Sequence, residues 1–180
     1  MSARPVYARL ESPIGPLTVV GRDGVLVGLR FRPPGPREAR AGTEAPEALG
    51  DAIAQLTEYF AGRRRRFELD LDASGDPFER QVWGETALIP YGRTASYGAI
   101  AARLGLPALA ARDVGVALAR NPLPVVVPCH RVVGADGSLT GFGGGLERKA
   151  ALLALEAPSR QLSLDLDAAG AVVSSAPSGS

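Results

Sequence analysis

Thr94-Ala95-Ser96-Tyr97-Gly98-Ala99-Ile100-Ala101-Ala102-Arg103-Leu104-Gly105-Leu106-Pro107 sets the character of this chain. Ser96 is placed to cap a helix over Tyr97 to Leu104, and Gly105 to close it. Pro107 opens a further helix, roughly Ala108 to Arg120, which Asn121-Pro122 ends. Two helices joined by a short glycine-containing turn make a helix-turn-helix. Upstream, Asp76-Pro77-Phe78-Glu79 reads as a helix start, with an N-cap aspartate, a proline at the first position and a glutamate reaching back. That helix runs through Phe78, Val82 and Ile89 and stops before Pro90-Tyr91-Gly92. Downstream, Gly134-Ala135-Asp136-Gly137 is a turn and Gly141 to Gly145 a glycine-rich loop. Leu146 to Leu155 is a last helix with Leu146, Ala150 and Leu153 on one face.

The residues before Asp76 have a different rhythm. Val6 to Leu10, Leu17 to Val20 and Val25 to Phe31 are short β-prone runs, the last two separated by the hairpin dipeptide Asp23-Gly24. A loop rich in Pro and Gly follows from Pro33 to Thr43. Leu49, Ile53, Leu56 and Phe60 then recur on one face of a helix that Gly62 ends. Phe67 to Leu71 alternates like a half-buried strand. Arg63-Arg64-Arg65-Arg66 lies between; it reads as a solvated turn, with a phosphate-contacting patch as the alternative. The chain therefore divides into an α/β unit over 1–75, a mostly helical unit over 76–157, and a tail over 158–180 whose Ala, Ser and Gly content predicts disorder.

Composition excludes several classes of protein. The 180 residues, 46% of them hydrophobic, suffice for one domain or two small ones. No apolar run approaches the roughly 18 residues of a membrane span. Met1-Ser2-Ala3-Arg4-Pro5 lacks the apolar stretch of a signal peptide, so a cytoplasmic location is expected. Net charge is only +1, yet residues 78–156 carry 8 basic and 6 acidic side chains, which makes the helical unit the basic part. No heptad pattern is visible, and a monomer is expected.

The chain has one cysteine and one histidine, and they are adjacent: Pro128-Cys129-His130-Arg131 follows the apolar run Val125-Val126-Val127. One cysteine cannot form an internal disulfide, and one Cys with one His cannot complete a four-ligand zinc site, so no metal is expected. Cys129 is either a reactive thiol with a base beside it or an inert buried one.

At this point the residues resemble a known family. Phe78-Glu79-Arg80-Gln81-Val82-Trp83, Ile89-Pro90-Tyr91-Gly92, Thr94-Ala95-Ser96-Tyr97-Gly98, Arg112-Asp113-Val114-Gly115, Asn121-Pro122 and Pro128-Cys129-His130-Arg131-Val132-Val133-Gly134 match O6-alkylguanine-DNA alkyltransferases. Gly144-Gly145-Leu146 and Leu152-Leu153 with Glu156 complete the set, in the family's order. Ser12-Pro13-Ile14-Gly15-Pro16-Leu17 and Gly28-Leu29-Arg30-Phe31 match its N-terminal domain more loosely.

The resemblance implies a ribonuclease-H-like N-terminal domain (a three-stranded antiparallel sheet plus helix) and a winged-helix-like C-terminal one. It implies single-use transfer of an alkyl group from O6 of guanine to Cys129, without a cofactor. Displacement at carbon needs a thiolate, and so a base and an orienting group behind the base. By resemblance these are His130, acting through a water, and Glu156. Tyr97 would donate a proton to the departing guanine, and Asn121 would hold the turn. The partner implied is double-stranded DNA entered through the minor groove, carrying O6-alkylguanine, with O4-alkylthymine a further candidate. Arg112 would fill the gap left by the flipped base, with Ala111 and Gly115 permitting close approach and Ser96 and Arg131 also at the DNA. Leu118, Leu139, Phe142 and Gly143 would line the slot for the base and its alkyl group.

Four positions depart from the family's habit. Asp113 stands where alanine is usual, predicting weaker DNA binding or an ion pair with Arg112. Phe142 replaces tyrosine, Glu79 replaces a frequent glutamine, and one extra residue lies between Gly105 and Arg112. A non-catalytic damage sensor and a Cys129–His130 hydrolase are the competing readings. A hydrolase would turn over repeatedly and would need a base in direct contact with sulfur.

Overall fold

The computed structural model describes residues 4–158, so the tail expected to be disordered lies, from residue 159 on, outside the described residues. Three antiparallel strands open the chain: β1 (Val6–Leu10), β2 (Leu17–Arg22) and β3 (Val25–Arg30). β1 pairs with β2 from Val6 opposite Gly21 to Leu10 opposite Leu17. The β2–β3 hairpin closes on Asp23 and Gly24, both at positive φ (53° and 81°), where Gly24 carries no Cβ penalty.

The loop expected over Pro33 to Thr43 contains a short helix, α1 (Pro36–Ala41), which starts on Gly35 and the reaching-back carboxylate of Glu38. After it, β4 (Thr43–Glu44) adds a two-residue parallel edge beside β1, so the sheet order is β3-β2-β1-β4. Neither was legible, because each is too short to carry a period. A 3-10 turn over Pro46–Leu49 leads into α2 (Gly50–Phe60), whose Leu56 and Tyr59 bury completely against Leu17 and Val19 of the sheet. Gly62, at φ +72°, ends it.

The strand expected over Phe67 to Leu71 does not form. Only Leu26 and Leu71 make a bridge, and the Gln55 side-chain amide takes a neighbouring strand's place. It accepts from Glu68 N (2.8 Å) and donates to Glu68 O (3.0 Å). The alternation is real, but the backbone meets a strand only around Leu71, where Leu26 N donates to Asp70 O (2.9 Å) and Asp72 N to Leu26 O (3.0 Å). At Glu68 its partner is a side chain. Arg63 to Arg66 form a turn in which Arg64 pairs with Glu58 at 2.7 Å.

The helical part follows the reading of the sequence closely. In α3 (Pro77–Ala87) Glu79 N donates to Asp76 Oδ1 at 2.8 Å and Asp76 N to Glu79 Oε2 at 3.0 Å, a closed capping box. Ile89 lies in the turn beyond this helix rather than in it. Glu79 also pairs with Arg120 at 2.9 Å, a task for the carboxylate that replaces the usual amide. Ser96 caps α4 (Tyr97–Arg103), accepting from Ala99 N at 3.0 Å, and Gly105 at φ +72° closes it. A 3-10 turn, Ala108–Ala110, precedes α5 (Ala111–Ala119). Trp83 Nε1 donates to Ala117 O at 2.9 Å and fastens α3 to α5.

A parallel pair, β5 (Ala95–Ser96) with β6 (Val132–Val133), ties the start of α4 to the segment after the cysteine. The last helix, α6 (Leu146–Glu156), buries Lys149, Leu152 and Glu156. The face expected from Leu146, Ala150 and Leu153 is not the buried one, since Leu146 is 47% exposed. Glu156 must reach inward, and that sets the phase of the helix. One continuous core spans both parts, and Leu29 N donates to Pro122 O (2.8 Å) between them.

Candidate active site

The cysteine's turn is built by Asn121. Its Nδ2 donates to Val127 O at 3.0 Å and its Oδ1 accepts from Leu123 N at 2.9 Å, so one side chain closes the loop at both ends. Val125 is held at φ +76°, a conformation unfavourable for a β-branched residue, which the surrounding bonds impose. Cys129, His130 and Arg131 then form a single 3-10 turn, all three buried. Burial pushes the Cys129 thiol up to about 11, against the opposing pull of the Asn121 amide and the Lys149 charge. At neutral pH the side chain is therefore a thiol and needs a base.

His130 is fully buried, and its Nε2 lies 2.8 Å from Glu156 Oε1. Burial lowers its pKa below 6.5, although Glu156 opposes the shift. For Glu156, burial acts to raise the pKa, but hydrogen bonds from His130 and Arg131 outweigh it and hold the carboxyl at about 2. A carboxylate facing a neutral imidazole fixes the tautomer: Nε2 carries the proton and donates it. Nδ1 is then a lone-pair nitrogen, buried and without a hydrogen-bond partner among the described residues.

Two further residues hold Glu156. Tyr59 OH donates to Oε1 at 2.7 Å across 97 residues of sequence, and Arg131 donates Nε to Oε2 (2.8 Å) and Nη2 to Oε1 (2.9 Å). Arg131 also donates to Ile89 O at 2.6 Å and is 6% exposed. Arg131, which the resemblance puts at the DNA, has its guanidinium against the buried carboxylate of Glu156.

Tyr97 is half-buried at the start of α4, its hydroxyl donating to Thr140 O at 2.8 Å. Lys149 is the residue that sequence reasoning missed. It is fully buried, with Nζ 2.7 Å from Thr140 O, 3.4 Å from Tyr97 OH and 5.7 Å from the centre of the Tyr97 ring. The available signal was Glu156: a buried glutamate at the end of α6 places Lys149, seven residues earlier, on the same face. Tyr59 gave no signal beyond that of a core aromatic.

Cys129 opens into a cavity of about 400 Å³. Leu118, Asn121, Pro124, Phe142 and Gly143 line it from the helical part; Leu29, Arg30, Phe31, Arg32 and Arg37 line it from the other. Leu139, expected in this wall, is not there. It follows the turn that Gly134 N closes onto Ser138 O (2.8 Å), and β3 with Phe31 after it supplies the apolar surface instead.

Arg112 is exposed at the start of α5 and makes no ion pair with Asp113 among the described residues. Ala111 and Gly115 are half-buried beside it. A Cβ on Gly115 would lie 3.7 Å from the Tyr97 ring, which links the helix surface to the site. Ser96 serves as the α4 cap.

The chain matches two family models: the ribonuclease-like domain of 6-O-methylguanine DNA methyltransferase over residues 6–73, and that protein's DNA-binding domain over residues 77–158. It is 51% identical over 161 residues to a methylated-DNA–protein-cysteine methyltransferase of Mycolicibacterium paratuberculosis, covering 89% of this chain and 97% of the relative. A constitutive enzyme of that name from Bacillus subtilis is 42% identical, covering 83% and 94%. Among solved structures, the O6-methylguanine methyltransferase of Mycobacterium tuberculosis superposes with a TM-score of 0.79 at 44% identity, over 91% of this chain and 99% of that one. The M. tuberculosis protein OGT in complex with DNA gives 0.77 at 47% identity, over 86% and 96%. With both halves matched in order and the cysteine's turn built as described, the chain belongs to the methylated-DNA–protein-cysteine methyltransferase family.

Proposed function

We propose that this protein repairs DNA by direct reversal, taking the alkyl group of O6-alkylguanine onto Cys129 and ending its own activity in doing so. One observation carries the assignment of roles: His130 Nδ1 is a buried, unpartnered lone pair beside a thiol whose ionisation burial opposes. His130 takes the thiol proton, relayed by a water because adjacent side chains do not face one another. Glu156 holds the imidazole in the required tautomer and stabilises the imidazolium as it forms. Sulfur attacks the alkyl carbon, an S–C bond forms, and the C–O6 bond breaks with its electron pair passing to guanine. Tyr97 supplies the proton that neutralises the leaving base; its hydroxyl turns from Thr140 O, and Lys149 stabilises the resulting phenolate. The products are an S-alkyl Cys129 and intact guanine, in balance.

The target base is unreachable inside a duplex, and extruding it costs a few kcal/mol of stacking. Arg112 fills the vacated space from the minor groove, whose weak sequence code is no loss to an enzyme that must act on any guanine. Single-turnover assays with modified duplex in excess test the scheme. Guanine formed should equal protein added and then stop, and Cys129→Ser should form none. Continued turnover would point to a hydrolase.

A further inference from the structure

Tyr59 is a buried titratable residue whose ring is explained by packing and whose hydroxyl is not. It is fully buried on α2, with Phe60 and Phe67 at ring-centre distances of 5.3 and 5.4 Å and Tyr91 at 6.2 Å. A phenylalanine would fill the same space and keep the same ring contacts. A hydroxyl taken out of water is a cost unless it is hydrogen-bonded, and the partner this one finds is Glu156 Oε1 at 2.7 Å.

The two oxygens of that carboxylate have different company. Oε1 accepts from Tyr59, from His130 Nε2 (2.8 Å) and from Arg131 Nη2 (2.9 Å). Oε2 accepts from Arg131 Nε (2.8 Å) and, at 3.4 Å, from Gly92 N. Tyr59 and His130 therefore draw on one oxygen, and charge taken up by the phenol is charge withheld from the imidazole. Among the described residues Tyr59 is the one donor to Glu156 that comes from the N-terminal part of the chain.

Few other groups act on His130. Burial lowers its proton affinity, Glu156 opposes that, and Arg131 and Lys149 add to the lowering. Helix α3 also packs on the turn of His130, but its buried carboxylate, Glu79, is committed to Arg120 at 2.9 Å. Tyr91 donates to Leu155 O at 3.1 Å and leaves the carboxylate to the others.

We propose that Tyr59 is a positioning residue for alkyl transfer: acting through Glu156, its hydroxyl holds Oε1 in place and sets how strongly that oxygen draws on the imidazole of His130. The inference rests on the assignment of His130 as the base for Cys129. It puts one control over that base in the other half of the chain.

The chain has one histidine, so the imidazole resonances of the full-length protein belong to His130 alone. Tyr59→Phe removes the hydroxyl and keeps the ring. In that variant the Nε2–H proton resonance at neutral pH should move downfield, as its bond to Oε1 strengthens. The imidazole should titrate about half a pH unit higher than in the native protein, a gain of about threefold in proton affinity. The acid limb of the single-turnover rate at saturating modified duplex should rise with it, while duplex affinity stays native. A hydroxyl that only completes the core would move neither the resonance nor the limb. An Nε2–H resonance that stays in place or moves upfield overturns the inference, as does an acid limb that superimposes on the native one. A native protein that transfers no alkyl group would instead overturn the assignment of function, and the resonance would still report whether Tyr59 acts on His130.

Discussion

Cys129 is a buried thiol whose reactivity depends on its neighbours, and that dependence can be measured. With its pKa pushed up to about 11, alkylation by iodoacetamide in the absence of DNA should rise about tenfold per pH unit from 7 to 10, without a plateau. A plateau near pH 8 would mean a thiolate already stabilised in the free protein. Glu156 is the other residue on which the site depends. Glu156→Gln leaves Arg131 buried without a counter-charge and allows His130 the wrong tautomer. It should cost about 3–5 kcal/mol in urea unfolding and slow alkyl transfer beyond that loss of folded protein. The Cys-His pair was visible in the sequence because each of the two residues occurs once, and Glu156 through the family resemblance. Lys149 and Tyr59 were not, since a buried lysine and a core tyrosine look ordinary until the helix face is known.

At the scale of the element, α5 carries the proposed contact with DNA and also the chain's oddest residue. Asp113 puts a carboxylate next to Arg112 at the start of the helix, unpaired with it and exposed. Asp113→Ala should therefore tighten binding to duplex several-fold in 100 mM salt, with the gain shrinking as salt is raised. An unchanged affinity would place Asp113 outside the DNA footprint. Capped helices were legible for a physical reason: Asp76, Ser96, Gly62 and Gly105 are local signals that need no tertiary partner. The segment from Phe67 to Leu71 failed as a strand because it meets β3 only at Leu26 while the Gln55 side chain takes the backbone of Glu68, which no pattern of alternation reveals. The phase of α6 was misjudged because apolar residues were counted while the buried face is set by Lys149 and Glu156.

For the whole molecule, the site is shared between the two halves. Tyr59 of α2 reaches Glu156 of α6, β3 and Phe31 wall the cavity that Cys129 opens into, and Arg148 reaches Ile14. That sharing could not be read from the chain, because no sequence signal tells which surface of one half faces the other. It couples stability to the charges of the site. Below pH 6.5 the unfolded chain protonates its histidine while native His130 resists, so stability is complete above that pH and declines beneath it. The native Glu156 carboxyl stays ionised to about 2 whereas an unfolded one protonates near 4.5, so a further loss follows as pH falls between those values. Urea midpoints measured from pH 8 to pH 4 should fall steadily on the acid side. The dependence should weaken in His130→Asn, since that variant has no imidazole to titrate.

The central claim is that Cys129 is a single-use acceptor. The most direct test is the intact mass of the protein after incubation with a duplex carrying one O6-methylguanine, followed by peptide mapping. The account predicts a gain of one methylene, about 14 Da, confined to Cys129 and absent from Cys129→Ser. An unchanged mass in a protein that demonstrably binds the same duplex would contradict it and leave a damage-binding module in its place.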